Sequence, residues 1–227
     1  MNTVIPLPAP TLLTIARTET VFPVRRVYCV GRNYAAHAIE MGHDPNREPP
    51  FFFQKNPDNL ITHGSFPYPP LSSDVHHEVE LVVALRAGGT DIAPGNALDC
   101  VYGYGVGIDF TRRDLQAEAK AGGKPWAAAK AFEYSAPVSE IVPATSLGHP
   151  DKGRIWLSVN GVQKQEGDLD QMIWKIPEII AELSKLFTLA PGDVIMTGTP
   201  SGVGPVSRGD VVECGVDGVA NLSLTVR

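Results

Sequence analysis

Three carboxylates in this 227-residue chain sit where carboxylates are costly. The run His76-His77-Glu78-Val79-Glu80-Leu81-Val82-Val83 reads as a β-strand, whose side chains alternate between two faces. Glu78 and Glu80 then share a face, with Cα atoms about 6.5–7 Å apart. Carboxylates that close repel unless a proton or a cation joins them, and a hard divalent cation takes oxygen ligands readily. A solvated strand face carrying two ordinary glutamates satisfies the same pattern. Asp109 favours the cation, because it ends the glycine-rich apolar run GYGVGIDF, where a lone carboxylate is expensive to bury. Glu78, Glu80 and Asp109 would form an all-oxygen ligand set with open positions. Such a set suits one Mg²⁺ or Mn²⁺ per subunit better than zinc. Asp109 could instead cap a helix starting near Thr111. His76, on the glutamates' face, fits a supporting role beside the ligands better than ligation.

Other residue types could supply acid–base and anion chemistry. His37 and Glu40, three apart in GRNYAAHAIEM, are neighbours on a helix. A carboxylate beside an imidazole fixes its tautomer and raises its basicity, which makes a general base; a surface ion pair has the same spacing. Lys55 follows Phe51-Phe52-Phe53-Gln54, and Lys130 follows Trp126-Ala127-Ala128-Ala129. A desolvated lysine can stabilise developing negative charge, and a lysine that snorkels from an apolar edge is the plainer alternative. The loop TGTPSGVGP, residues 197–205, is rich in small residues whose N–H groups can meet an anion. It lacks the Lys-Ser/Thr pair of a P-loop, and Gly103-Tyr104-Gly105-Val106-Gly107 has the wrong spacing for a dinucleotide fingerprint.

Strands must position these groups. Arg26–Val30 reads as a strand ending at Gly31, with Asn33 capping a short helix through Met41 that Gly42 stops. Phe51–Phe53, His76–Leu85 and Leu98–Phe110 read as strands, with a helix from Thr111 to Ala121. Asn160-Gly161 marks a hairpin, and Ile176 to Phe187 keep helical spacing, with Pro177 in the first turn. Residues 1–20 read as an irregular arm ahead of one catalytic domain, 21–227. The proline-broken stretch around 33–60 suits a mobile lid. The fold class is mainly β with peripheral helices, a roll or sandwich.

Composition excludes several function classes. With 19 Lys+Arg against 25 Asp+Glu the net charge is −6, unsuited to general nucleic-acid binding. No apolar run reaches membrane-spanning length. The first twenty residues lack a basic segment and carry prolines, so no secretory signal is expected. Cys29, Cys100 and Cys214 are odd in number and set in apolar runs, as buried thiols in a reducing compartment would be; the expected location is the cytoplasm.

The segments CVGRNYAAHAIEMG, PFFFQK, HHEVELVV, GYGVGIDFTRRDLQ, KPWAAAKAF, LSVNGVQKQ and PGDVIMTGTPSGVGPVSRGD occur in this order from about Val27 to Asp210. In this the chain resembles the fumarylacetoacetate hydrolase family, in particular its small acylpyruvate and fumarylpyruvate hydrolases. The resemblance implies a mixed β-sandwich roll and a homodimer. It makes Glu78, Glu80 and Asp109 the metal ligands, His37 and Glu40 the water-activating pair, and Lys130 the cation that stabilises an enolate. Arg32, Lys55, Arg113, Gly198 and Thr199 become substrate-pocket residues. Asn56 departs from the family pattern, which more often has proline after the lysine. The implied activity is hydrolytic C–C cleavage of a 3-acylpyruvate, a 2-oxo acid; fumarylpyruvate would give fumarate and pyruvate, as in gentisate breakdown. Oxaloacetate decarboxylation, isomerisation of a 2-oxo diacid, and dicarboxylate binding without turnover are the alternatives.

Overall fold

The computed structural model describes residues 3–41 and 48–227. Gly42, the expected helix stop, and residues 42–47 of the expected lid lie outside the described residues.

Two stacked sheets carry the fold. The six-stranded sheet runs, edge to edge, Val142–Pro143, Val101–Ile108, Val79–Leu85, Asp193–Met196, Arg26–Gly31 and Phe51–Lys55. It is mixed: Asp193–Met196 lies parallel to Arg26–Gly31 and antiparallel to Val79–Leu85. The five-stranded sheet is Val162–Asp168, Arg154–Val159, Val211–Val216, Ala220–Val226 and Ser65–Phe66. Leu81 and Val83 of the first sheet pack with Ile155, Leu157, Cys214 and Leu224 of the second, and helix Ile176–Leu186 joins this core through Ile176, Ile179, Ile180 and Leu183. The expected β-rich class is the observed one.

The first sheet is covered on its other face too. Val82 and Ala84 meet Leu13, Ile15 and Phe22 there, so every residue of Val79–Leu85 is buried. A strand buried on both faces reads as a continuous apolar run, which explains VELVVAL. Leu12–Thr14 pairs with Val21–Pro23 and Ile15 bridges Ile141, so within the expected arm the described residues 3–11 are irregular and a paired strand follows.

Local readings differ from the structure in four places. The expected strand His76–Leu85 is interrupted at Glu78, with Val75–His77 in a small three-stranded sheet and Val79–Leu85 in the six-stranded one. The strand Val101–Ile108 begins later than expected because Pro94–Cys100 forms a 3₁₀ turn. The helix starts at Arg113, not Thr111, because Thr111 and Arg112 pair with His76 and Val75. Asn33 does not cap the helix Ala35–Glu40, whose N-cap is Tyr34. The Asn160-Gly161 hairpin forms as expected, both residues having positive φ. All three cysteines are free and buried. Among the described residues no helix is long and apolar enough to cross a membrane.

Candidate active site

The site lies at one end of the six-stranded sheet, on the face away from the second sheet. Glu80 pairs with Gly107, and Asp109 follows two residues later on the same strand face. A Cβ at Gly107 would come within 2.9 Å of Val82 and 3.1 Å of the Pro137 carbonyl, so glycine lets the backbones close beside the carboxylates. The Asp109 N–H donates to the Glu78 carbonyl at 2.8 Å, which ties the two strand ends together. Glu78, Glu80 and Asp109 are all buried, with ligand oxygens within 4.8 Å of one another.

Cations hold this charge. Lys130 Nζ donates to Glu78 Oε2 and to Asp109 Oδ2, each at 2.7 Å. Arg113 donates to the other Glu78 oxygen at 2.5 Å. Burial alone would raise the Glu78 carboxyl, but Lys130 and Arg113 overcome it and hold the group well below the carboxylate range. Lys130 is likewise desolvated, yet Asp109 and Glu78 hold its ammonium above the usual lysine value. Among the described residues Glu80 has no such partner. Burial, then Asp109 and Glu78, push it well above the carboxylate range, and the Gly198 N–H at 2.8 Å only partly offsets this.

The group fits a hard divalent cation. All donors are carboxylate oxygens, two of the residues line an open pocket, and Asp109 Oδ1 is buried without an aligned hydrogen bond. Lys55 lies 2.8 Å from that oxygen as an ion pair, but donates to Ser135 Oγ and to the carbonyls of Phe110 and Lys130.

His37 reaches the same pocket from the helix Ala35–Glu40, and Glu40 ends that helix beside it. His37 Nδ1 and Glu40 Oε2 are 3.1 Å apart, and the other Glu40 oxygen accepts from the Gly202 N–H at 2.9 Å. The carboxylate thus anchors the imidazole to the 197–205 loop. With Nδ1–H given to Glu40, Nε2 is left as the basic atom. Asn33 fixes the helix start instead of capping it: its side chain accepts from Trp174 N–H at 2.7 Å and donates to the carbonyls of Trp174 and Thr197. Gly198, at φ 94°, is required beside it, since a Cβ there would meet the Asn33 Cβ at 2.7 Å.

Of the residues expected to meet substrate, Arg32, Arg113 and Thr199 line the pocket. Lys55 and Gly198 do not: Lys55 is buried behind Asp109, and Gly198 serves Glu80 through its N–H. His76 supports the ligands at one remove, with Asp74 on Nε2 at 2.9 Å and the Arg113 Nε–H directed at Nδ1. Four further residues escaped the sequence reading. Gln116 accepts from Arg113 at 2.6 Å, Lys120 and Trp126 complete the pocket wall, and the buried Gln165 bonds Thr199 from behind. Gln165 lies in the exposed, polar strand VQKQEGD, where no alternation marks it for burial.

Residues 26–227 match the model of the fumarylacetoacetate (FAA) hydrolase C-terminal domain. The crystal structure of fumarylpyruvate hydrolase from Pseudomonas aeruginosa in complex with Mn²⁺ and pyruvate superposes with a TM-score of 0.97, at 47% identity, covering 99% of each chain. Mitochondrial oxaloacetate decarboxylase of Dictyostelium discoideum is 43% identical over 197 residues, 86% of this chain and 90% of the relative. Mitochondrial oxaloacetate tautomerase of Mus musculus is 42% identical over 203 residues, 89% of this chain and 92% of the relative. A buried Glu-Glu-Asp cluster at the end of a mixed sheet, a histidine–glutamate pair facing it and a family match over nearly the whole length agree, and the chain belongs to the fumarylacetoacetate hydrolase family.

Proposed function

We propose that this protein hydrolyses the C–C bond of 3-acylpyruvates, with fumarylpyruvate, cleaved to fumarate and pyruvate, as the preferred substrate. One observation carries the reading: His37, paired with Glu40, lines the same pocket as Glu78 and Glu80. Hydrolysis needs a base for water, whereas decarboxylation and passive binding do not. The Pseudomonas aeruginosa relative, crystallised with Mn²⁺ and pyruvate, supports both the cation and one product.

Glu78, Glu80 and Asp109 would hold one Mg²⁺ or Mn²⁺, which supplies Lewis-acid polarisation and a template for the substrate's 2-oxo and carboxylate oxygens. The protein's own groups account for the remainder. His37 Nε2 takes a proton from water, and Glu40 stabilises the imidazolium. The hydroxide adds to the acyl carbonyl at C4 of the substrate. The C3–C4 bond then breaks, the acyl part leaves as a carboxylic acid, and the electron pair passes to the 2-oxo oxygen as an enolate. The imidazolium returns the proton to C3, which gives pyruvate. Lys130, buried and ionised, puts its charge where the enolate develops. Thr199 offers a hydroxyl to the substrate carboxylate.

The curated relatives support a second reading, decarboxylation or tautomerisation of oxaloacetate; decarboxylation uses only the enolate-stabilising half of the site, whereas tautomerisation also moves a proton at C3, for which His37 would serve. Pyruvate release separates hydrolysis from decarboxylation, and the ultraviolet absorbance of enol-oxaloacetate reports tautomerisation, which releases no pyruvate. With Mg²⁺ or Mn²⁺ present, kcat/KM for fumarylpyruvate should exceed that for oxaloacetate by at least about 100-fold, a margin within what one pocket achieves when a buried contact is missing. Rapid oxaloacetate turnover without acylpyruvate cleavage would overturn the hydrolase assignment.

A further inference from the structure

The pocket mouth carries positive charge that this chemistry leaves unused. Arg32 follows the strand Arg26–Gly31 at φ 58°, a left-handed conformation that a side-chain-bearing residue keeps only when its surroundings impose it. Its guanidinium lies 5.7 Å from the Phe51 ring centroid. Lys120, in the last turn of the helix Arg113–Ala121, lies 5.3 Å from the Trp126 centroid. The two rings meet edge to face at 5.0 Å. Two cations thus rest on two touching rings, and all four residues line the pocket that holds Glu78 and Glu80.

Among the described residues neither cation is neutralised: Arg32 and Lys120 form no ion pair there, whereas Arg113 and Lys130 both do. Partial burial, then Arg113 and Arg32, lower the Lys120 ammonium from its usual value, with Glu78 as the opposing charge. An exposed lysine lying on a tryptophan is ordinary packing taken alone. Converging cations that repel one another around an open mouth are different, since an incoming anion relieves that repulsion.

We infer that Arg32 and Lys120 form a second anion subsite, which binds the far carboxylate of a dicarboxylic acylpyruvate. Phe51 and Trp126 are the apolar floor under the chain between its two charged ends. The inference rests on reading the inner end of the pocket as the 2-oxo acid site. It separates diacids, such as an acylpyruvate with a terminal carboxylate, from acylpyruvates that end in a methyl group.

The probes are 2-oxoadipate and 2-oxohexanoate, equal in chain length and in their 2-oxo acid end, one with a terminal carboxylate and one with a methyl. Calorimetry on the Mg²⁺-loaded protein should find wild type binding the diacid at least about tenfold more tightly. Lys120→Met should remove most of that preference, and Lys120→Arg should keep it. Arg32→Gln should narrow it in the same direction. Equal affinities in wild type, or equal weakening of both ligands by Lys120→Met in a protein of unchanged melting temperature, would overturn the subsite. Pyruvate release from fumarylpyruvate, run in parallel, keeps the readings apart. Diacid preference without cleavage upholds the subsite and refutes hydrolysis; cleavage without diacid preference refutes the subsite alone.

Discussion

Gln165 Nε2 donates to Thr199 Oγ1 at 2.8 Å, and this contact sets the direction of the threonine's own proton. The amide orientation follows from backbone groups that have no choice. The Val79 N–H can only donate, so the oxygen 3.0 Å away is Oε1; the Pro200 carbonyl can only accept, so its partner at 2.8 Å is Nε2. His77, kept neutral by burial, fills the second place on Oε1 through Nδ1. With Thr199 Oγ1 already accepting, its O–H is free to donate into the pocket it lines.

Gln165→Glu should therefore weaken substrate use by roughly 10–100-fold, the worth of one well-placed hydrogen bond to a charged group. A carboxylate in this place cannot donate, so the threonine proton turns toward residue 165. A merely structural effect would add to that of Thr199→Ala. The expected double-mutant cycle instead gives a coupling of about 1–3 kcal/mol in kcat/KM. Additivity would remove the positioning role.

Removing the cation should abolish turnover, and Mg²⁺ or Mn²⁺ should restore it. Glu80→Ala deletes one of three anionic ligands. Loss of a group outside a ligand set already weakens binding about 10–100-fold, so this variant should bind Mn²⁺ at least about 100-fold more weakly. Titration with Mn²⁺ gives the affinity, and full activity after dialysis against chelator contradicts the ligand assignment.

Glu80 also makes the cation-free protein sensitive to pH. Its carboxyl is raised in the folded state by burial and by Asp109 and Glu78. A raised group stabilises the fold fully below its unfolded value, and that contribution is lost as pH rises through the folded value. Glu78 has the opposite sign: Lys130 and Arg113 lower it against burial, so its contribution is lost as pH falls below the carboxylate range. In chelator, Glu80→Gln should thus raise Tm by roughly 2–4 °C per kcal/mol recovered at about pH 8, and change it little near pH 5. With Mn²⁺ the order should reverse, because the cation needs the ionised carboxylate. Melting curves of both proteins at both pH values test the sign.

Much of this site is legible in the sequence because it follows local rules. The two-residue spacing of Glu78 and Glu80 brings their carboxylates together, although the strand is interrupted at Glu78, and helical spacing pairs His37 with Glu40. What is not legible depends on partners far along the chain. Asn33 looks like a helix cap, yet its side chain bonds Trp174 and Thr197, 141 and 164 residues away. Lys55 looks like a pocket residue, yet the pairing of Phe51–Lys55 with Arg26–Gly31 carries it beneath Asp109. Lys120 reads as one charge on a polar helix until Trp126 and Arg32 are set beside it in space.

The sharpest prediction divides the chemistry between His37 and Lys130. His37 serves to make hydroxide from water, and its Nδ1 is engaged by Glu40 for that purpose. Lys130 bridges Glu78 and Asp109 and stabilises any enolate formed at the site. His37→Ala should thus lower acylpyruvate hydrolysis by roughly 10²–10⁴-fold, the usual worth of a positioned base, and lower oxaloacetate decarboxylation much less. Oxalate, which mimics the enolate and needs no base, should bind the variant with nearly unchanged affinity. Lys130→Met should depress both reactions, because the developing charge is common to them. The Lys130 variant also leaves two buried carboxylates short of a partner, so its Tm must be measured beside its kinetics. If His37→Ala keeps acylpyruvate hydrolysis while Lys130→Met loses it, the general base has been misassigned and the water is activated at the carboxylate cluster itself.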